Sequence, residues 1–183
     1  GYVNNELGTV QPLRDIAAVV AAERQRRLAS GNTRPLFLHT DASQAAGLLD
    51  IAMSRLGIDL LTLNSSKCYG PKQVGLLWAK SDITLTPLID GGGQERGLRA
   101  GTENVAGVIG FARALSIATA ERKDESHRLS VLRDRLQSKL AAIDGIVING
   151  SSKRRAPHIL HISLPGLDGE RLVYGLDNRG VLV

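Results

Sequence analysis

Three clusters of polar side chains each follow a short apolar segment of the chain. The clusters are Asn4-Asn5-Glu6, His39-Thr40-Asp41 and Asn64-Ser65-Ser66-Lys67, and Gln44 follows the second one closely. The apolar segments have the character of buried strands, and ligands of open α/β sheets bind at the carboxyl ends of such strands. We therefore expect the three clusters to meet at one edge of a sheet and to form a binding site there.

An aspartate and a lysine at neighbouring strand ends suit one cofactor in particular, pyridoxal phosphate. Lys67 would supply the amine for a Schiff base, and Asp41 would supply the carboxylate beside the ring nitrogen. That carboxylate keeps the ring nitrogen protonated, and the protonated ring withdraws electrons from the substrate carbon. Hydroxyl and backbone N–H groups around Ser65 and Ser66 would hold the phosphate.

Each of these residues also has an interpretation that needs no cofactor. Aspartate is among the best helix N-caps, so Asp41 taken alone is more often a cap. A lysine such as Lys67 is most often a solvated surface charge, and an Asn4-Asn5 pair is typical of turns. Ser65 and Ser66 are equally compatible with a plain loop, so the prediction of a site depends on the convergence of the clusters.

The single cysteine, Cys68, directly follows Lys67. A thiol beside an ammonium can have a lowered pKa, but neighbours in extended chain point to opposite faces. Free cysteine is also among the most buried residue types. We therefore expect Cys68 to be buried and chemically inert.

Alternating strands and helices must position these residues. Strands are predicted at residues 2–3, 36–38, 60–63, 74–78, 146–148 and 159–163, and helices at about 13–30, from near 104 onward, and at 169–178. Continuous apolar strands between helices favour an α/β layered sheet over an antiparallel sandwich. The charges at 121–125 place a boundary near Glu121, with residues 1–120 in a cofactor-binding domain and residues 121–183 beginning a smaller α+β domain. The start at Gly1 and the apolar run after Gly180 suggest a piece of a longer chain.

Composition excludes several classes of function. No apolar stretch approaches the roughly 20 residues of a membrane span, and the N-terminus lacks the basic head and apolar run of a secretion signal, so we expect a cytoplasmic protein. The net charge is +5, but aromatic residues make up only 3% of the chain, too few for stacking single-stranded nucleic acid. The four histidines lack metal-ligand spacing, and His158 and His161 are expected to be strand residues. The glycine-rich segment 91–102 matches no Walker A pattern.

Four motifs occur in order over nearly the whole chain. They are Asn4-Asn5-Glu6-x-Gly8, His39-x-Asp41-Ala42-x-Gln44, Ser66-Lys67-x-Tyr69-Gly70-Pro71-Lys72 and Gly91-Gly92-Gly93-Gln94-Glu95-Arg96-Gly97-x-Arg99-x-Gly101-Thr102-Glu103-Asn104. Together they resemble the cysteine desulfurases of the NifS/IscS type, which are pyridoxal-phosphate enzymes of aminotransferase class V. The resemblance implies fold type I, here with part of a large domain whose sheet is mainly parallel and the start of a small α+β domain.

The resemblance also implies a role for each candidate residue. Lys67 is the Schiff-base lysine and the acid/base that moves the substrate Cα proton, Asp41 pairs with the pyridine nitrogen, and Gln44 pairs with the ring 3′ oxygen. Asn5 lies beside the cofactor and the substrate carboxylate. The phosphate-holding stretch is Asn64, Ser65 and Ser66, and Thr102 reaches the phosphate of a partner subunit, which implies a homodimer.

The implied reaction converts L-cysteine to L-alanine and leaves the sulfur as an enzyme persulfide for sulfur-acceptor or scaffold proteins of Fe–S assembly or tRNA thiolation. The chain departs from the family at Asn64 and Ser66, where many relatives have serine and histidine. The family's ring-stacking histidine precedes the chain, its nucleophilic cysteine follows Val183, and Cys68 does not match it, so the isolated chain is expected to be inactive. Two alternatives stay open: another class V enzyme, such as a selenocysteine lyase or aminotransferase, and a non-catalytic dimerising fragment.

Overall fold

The computed structural model describes all 183 residues, which form four helices and five strands. In chain order they are α1 (Leu13–Ala29), β1 (His39–Asp41), α2 (Met53–Leu56), β2 (Leu60–Asn64), β3 (Gly75–Ala79), α3 (Val105–Leu140), β4 (Val147–Asn149), β5 (His161–Ser163) and α4 (Gly169–Asp177). Single turns of 3-10 helix cover Ser65–Cys68 and Glu95–Gly97. None of the helices combines the length and the apolarity that a bilayer crossing requires.

The larger sheet has the order β1-β2-β3 and is mixed. β1 runs parallel to β2 with Asp41 opposite Thr62, and β3 runs antiparallel to β2 with Gly75 opposite Asn64. Because β1 and β2 are parallel, their carboxyl ends lie at the same edge, as the clustering of polar residues predicts. The α/β class is confirmed. A second sheet contains only the antiparallel pair β4 and β5.

The first strand differs from its prediction. Residues 36–38 were predicted as a buried strand, but the ladder begins at His39 and Phe37 is 48% exposed. The N–H of Leu38 donates to the Asp59 carboxylate at 2.7 Å, so a side chain takes this donor before regular pairing begins. The polar cluster that contains Asp41 is therefore the strand itself.

Asp59, 3% exposed, joins several elements at the other end of β2. Its carboxylate forms ion pairs with Arg24 of α1 and with Lys80 beyond β3, where Nζ lies 2.6 Å from Oδ1. Burial alone would raise the pKa of Asp59, but the hydrogen bonds from Lys80, Leu38 and Arg24 outweigh it and lower that pKa. Asp59 thus fixes the base of the sheet.

α3 is a single helix of 36 residues. It begins at the predicted place, where the side chain of Asn104 accepts a hydrogen bond from the Gly107 N–H. The charged segment around Glu121 lies in the middle of this helix and does not interrupt it. The division into residues 1–120 and 121–183 therefore stays a prediction, with its boundary inside a helix. Residues 181–183 form no strand.

Candidate active site

Asp41 is the last residue of β1 and carries an ionised carboxylate. Its Oδ1 accepts a hydrogen bond from the Ser43 N–H at 2.8 Å. Partial burial raises the pKa of Asp41, but the Ser43 backbone N–H and hydroxyl, the ammonium group of Gly1 and the nearby His39 outweigh this effect, and the pKa lies below its ordinary value. Oδ2 is left without a protein donor. The plainer interpretation of Asp41 as a cap is partly correct, since one oxygen binds the following turn.

Gln44 lies in the tight turn that follows β1. The N–H groups of Ala45 and Ala46 both donate to the Ala42 carbonyl, which coils the chain directly after the strand. Gln44 is half-buried, and its side-chain amide makes no hydrogen bond within the protein. The amide is therefore available to a ligand at the carboxyl edge of the sheet.

Lys67 lies in the 3-10 turn that follows β2. The side chain of Asn64 holds this turn, because its Oδ1 accepts from both the N–H and the hydroxyl of Ser66, at 3.0 and 2.7 Å. Lys67 is exposed, and no carboxylate lies within ion-pair distance of its Nζ. The turn thus presents an unpaired amine next to the strand edge.

The two serines before Lys67 have different environments. Ser66 is exposed, whereas Ser65 is fully buried at 0% exposure and its hydroxyl has no hydrogen-bond partner. Gly70 packs against this hydroxyl so closely that a Cβ at position 70 would overlap Ser65 Oγ. Ser66 is therefore the accessible one of the two, and the phosphate role of both stays a prediction.

Cys68 is buried, as predicted, with 2% of its surface exposed. Its Sγ donates to the Ser65 carbonyl at 3.3 Å. Burial raises the pKa of the thiol, and the backbone N–H of Gly70 only partly offsets that effect. A protonated, enclosed thiol is a poor nucleophile.

The remaining two candidates are Asn5 and Thr102, and like Asp41, Asn64 and Ser65 they do not line the cavity beside Lys67. Asn4, rather than Asn5, organises the first loop, because its Oδ1 accepts from the N–H groups of Glu6 and Leu7. Asn5 is exposed, and so is Thr102 in the segment just before α3. Their assigned contacts to cofactor, substrate and partner phosphate stay predictions.

A cavity of about 590 Å³ opens beside Lys67, and Gln44 and Ser66 also line it. Residues of α3, among them Arg113 and Glu121, also line it, and so does His158. These three residues are not among the predicted site residues, because no local pattern links α3 or position 158 to the strand ends. His158 was predicted in a strand, but β5 begins only at His161, and His158 is an exposed residue.

The chemistry of these side chains fits pyridoxal phosphate. Lys67 offers an amine without an acidic partner, Asp41 offers a carboxylate oxygen to a ring nitrogen, and Gln44 offers an unpaired amide. Asp41 and the Lys67 turn follow adjacent parallel strands, which brings the two ends of this donor set to one sheet edge. The Asn64 Oδ1 accepts two hydrogen bonds from Ser66, and the Asn64 Nδ2, which is the donor of this amide, is available to a phosphate.

Known proteins with similar sequences are cysteine desulfurases. IscS 1 of Archaeoglobus fulgidus is 37% identical over 180 residues, covering 98% of this chain and 44% of that protein. A probable mitochondrial cysteine desulfurase of Schizosaccharomyces pombe is 40% identical over 178 residues, covering 96% of this chain and 33% of that protein. The chain therefore spans less than half the length of these curated relatives.

Solved structures and a family description agree with this likeness. A NifS-like protein superposes with a TM-score of 0.86 at 34% identity, over 100% of this chain and 47% of the other. A NifS-like protein from Rickettsia africae superposes with a TM-score of 0.91 at 27% identity, over 100% of this chain and 48% of the other. The family described as Aminotransferase class-V matches residues 1–183. The chain belongs to the aminotransferase class-V family.

Proposed function

We propose that the full-length protein is a pyridoxal-phosphate-dependent cysteine desulfurase that converts L-cysteine to L-alanine and transfers the sulfur to a protein thiol. The observation that carries this proposal is the pair formed by Lys67, which has no acidic partner, and ionised Asp41 at adjacent strand ends. The relatives named cysteine desulfurase, at 37% to 40% identity, support the choice of substrate within the family.

Pyridoxal phosphate supplies an electron sink for charge that develops at the substrate Cα. The negative charge of Asp41 would keep the ring nitrogen of the cofactor protonated, and the lowered pKa of Asp41 keeps its carboxylate charged at neutral pH. Lys67 Nζ is accessible and unpaired, so it is available for covalent attachment and for moving a proton at the substrate Cα. Gln44 and Ser66 line the same cavity as Lys67, and their side chains would orient the cofactor from there.

The sulfur-accepting thiol comes from a part of the full-length protein other than Cys68. Cys68 is enclosed, donates to the Ser65 carbonyl and has a raised pKa, so it does not form a thiolate at neutral pH. A thiolate can attack the substrate sulfur only if the bound substrate can reach that thiolate. We infer that a mobile cysteine elsewhere in the protein takes the sulfur and passes it to acceptor or scaffold proteins.

We also infer a homodimeric, cytoplasmic enzyme. Thr102 is exposed and makes no contact with the cavity beside Lys67, which supports a role toward a second subunit. The only cysteine of the chain is unpaired, which supports a reducing compartment.

The cofactor assignment is tested by visible absorbance of the full-length protein after incubation with pyridoxal phosphate. Wild-type protein is expected to gain a yellow band from the lysine-bound cofactor, and Lys67→Ala removes it. Lys72→Ala is the matched control, since Lys72 is an exposed lysine five residues away, and this variant retains the band. A band that survives in Lys67→Ala means that the lysine assignment is wrong. With the band present, lack of sulfide release from L-cysteine would favour another class V reaction.

A further inference from the structure

One face of α3 packs tightly against the segment that carries Lys67. A Cβ built at Gly110 of α3 would lie 2.6 Å from Cγ of Pro71, and one built at Gly70 would lie 3.2 Å from Cβ of Ala114. A contact of 2.6 Å is shorter than real Cβ atoms show, and one of 3.2 Å is tighter than most, so a side chain at either position would require its neighbour to shift. Gly70 and Pro71, which directly follow the Lys67 turn, therefore pack closely against α3.

The next turns of α3 contact the segment that carries Gln44. A Cβ built at Gly47 would lie 2.7 Å from Cβ of Ala118, and Gly47 has a φ of +74° that favours glycine. About two helical turns beyond Ala118, the Ser126 hydroxyl donates to the Leu48 carbonyl at 2.6 Å. Arg122 Nη1 reaches the Leu49 carbonyl at 3.4 Å.

These contacts follow the helical repeat. Gly110, Ala114, Ala118, Arg122 and Ser126 are spaced by four residues, so each neighbours the next and together they form a stripe that winds gradually around the helix. At 1.5 Å per residue this stripe extends for about 24 Å, and Arg122 and Ser126 near its end donate hydrogen bonds to backbone carbonyls. Its first half contacts the Lys67 segment, and its second half contacts the Gln44 segment.

We propose that Ala118 and Ser126 are positioning residues, which set the distance between Gln44 and Lys67 across the cavity that both residues line. This inference rests on the proposed function, which gives the two side chains a common cofactor. A larger residue at position 118 displaces the segment after Asp41, because Gly47 already touches the Ala118 methyl group. Loss of the Ser126 hydroxyl releases the Leu48 carbonyl and loosens the same segment.

The test uses the full-length enzyme loaded with pyridoxal phosphate and measures the pH midpoint of its visible absorbance. Ala118→Leu and Ser126→Ala are expected to move the midpoint in the same direction as Gln44→Ala and to weaken cofactor binding about tenfold, the loss of one hydrogen bond to a charged group. Ser126→Thr keeps the hydroxyl and restores the wild-type midpoint. Ala120→Leu, at an exposed position of the same helix, is the matched control and leaves the midpoint unchanged.

A double variant shows whether the helix acts through Gln44. In a Gln44→Ala background, Ala118→Leu adds no further shift, because the group that it displaces is already absent. An undiminished shift in that background, or an unchanged midpoint in both single variants, overturns the proposal. If Ala118→Leu does not fold, Ser126→Ala and its threonine rescue decide the question.

Amide hydrogen exchange separates this proposal from the proposed function. The N–H of Leu49 donates to the Ala45 carbonyl, and its exchange is expected to accelerate about tenfold in Ser126→Ala protein without cofactor. Unchanged exchange contradicts the positioning role. Absence of a visible band from the wild-type protein contradicts the proposed function alone, since the exchange experiment needs no cofactor.

Discussion

Lys67 lies one short turn beyond β2, and Asn64 decides how that turn is held. The Asn64 Oδ1 accepts two hydrogen bonds from Ser66, and the Nδ2 group of Asn64 can donate to a phosphate. The Ser66 hydroxyl is exposed, but its single proton is already donated to Asn64, so this hydroxyl would have to turn to donate to a ligand. Compared with the serine and histidine that the resemblance implies at these two positions, the pair therefore offers the Asn64 amide as its available donor.

Replacing Cys68 with serine tests whether this thiol is structural. Cys68→Ser is expected to lower the free energy of unfolding by about 1 kcal/mol, because a hydroxyl replaces a buried sulfur that already has the Ser65 carbonyl as its partner. Sulfide release from L-cysteine by the full-length enzyme should stay within about twofold of wild type, because the enclosed thiol takes no part in the proposed reaction. A twofold change in rate corresponds to about 0.4 kcal/mol in the activation barrier. Loss of turnover in a variant that still binds cofactor would contradict the structural interpretation.

At the scale of elements, Asp59 connects α1, β2 and the end of β3 at the side of the sheet opposite Lys67. Its lysine and arginine partners are partly exposed, whereas the carboxylate itself is buried. Removing the charge leaves both cations without a partner and a polar group enclosed at the base of the sheet. This cluster stabilises the sheet and makes no contact with the cavity.

Asp59→Asn is expected to lower the free energy of unfolding by about 2 kcal/mol near neutral pH, a value discounted for the exposure of the two cations. The pKa of Asp59 is lower in the folded protein than in the unfolded chain. Its contribution is therefore fully present above about pH 4, the ordinary aspartate pKa, and is lost as the pH falls through the folded value. Urea denaturation at several pH values checks this prediction.

The matched control for that experiment is Asp82→Asn, which changes an exposed aspartate without an ion pair. This variant is expected to have the wild-type stability at each pH. A stability difference between wild type and Asp59→Asn that stayed constant down to pH 2 would show that the charge of Asp59 is not what stabilises the sheet.

At the scale of the whole molecule, Thr102 offers a test of shared active sites. If each site combines Lys67 of one subunit with Thr102 of the other, a mixed dimer of Lys67→Ala and Thr102→Ala subunits contains one intact site and one doubly altered site. Co-expressed subunits with two purification tags should then recover about half of the wild-type activity per dimer. Mixed dimers no more active than the average of the two parent variants would contradict sharing.

Local sequence was sufficient for α1 and for the start of α3. α1 begins and ends close to its predicted residues and α3 begins at its predicted place, because turn residues and helical spacing act over a few positions, whereas the short helix α2 and the end of α3 were not predicted. The start of β1 was not predictable in this way. Asp59, far away in sequence, takes the Leu38 N–H and thereby decides where the ladder begins.

The sequence by itself determined the chemistry of the site: which residues supply an amine, a carboxylate and amides, and that these residues come at the carboxyl ends of neighbouring strands. Only the tertiary structure decided that Ser65 is enclosed while Ser66 is accessible, that His158 borders the cavity, and that successive turns of α3 contact both the Lys67 and the Gln44 segments. The physical reason is range. Residue type and spacing carry information about hydrogen bonding within a turn or strand, whereas burial and the width of a cavity depend on close packing between segments tens of residues apart.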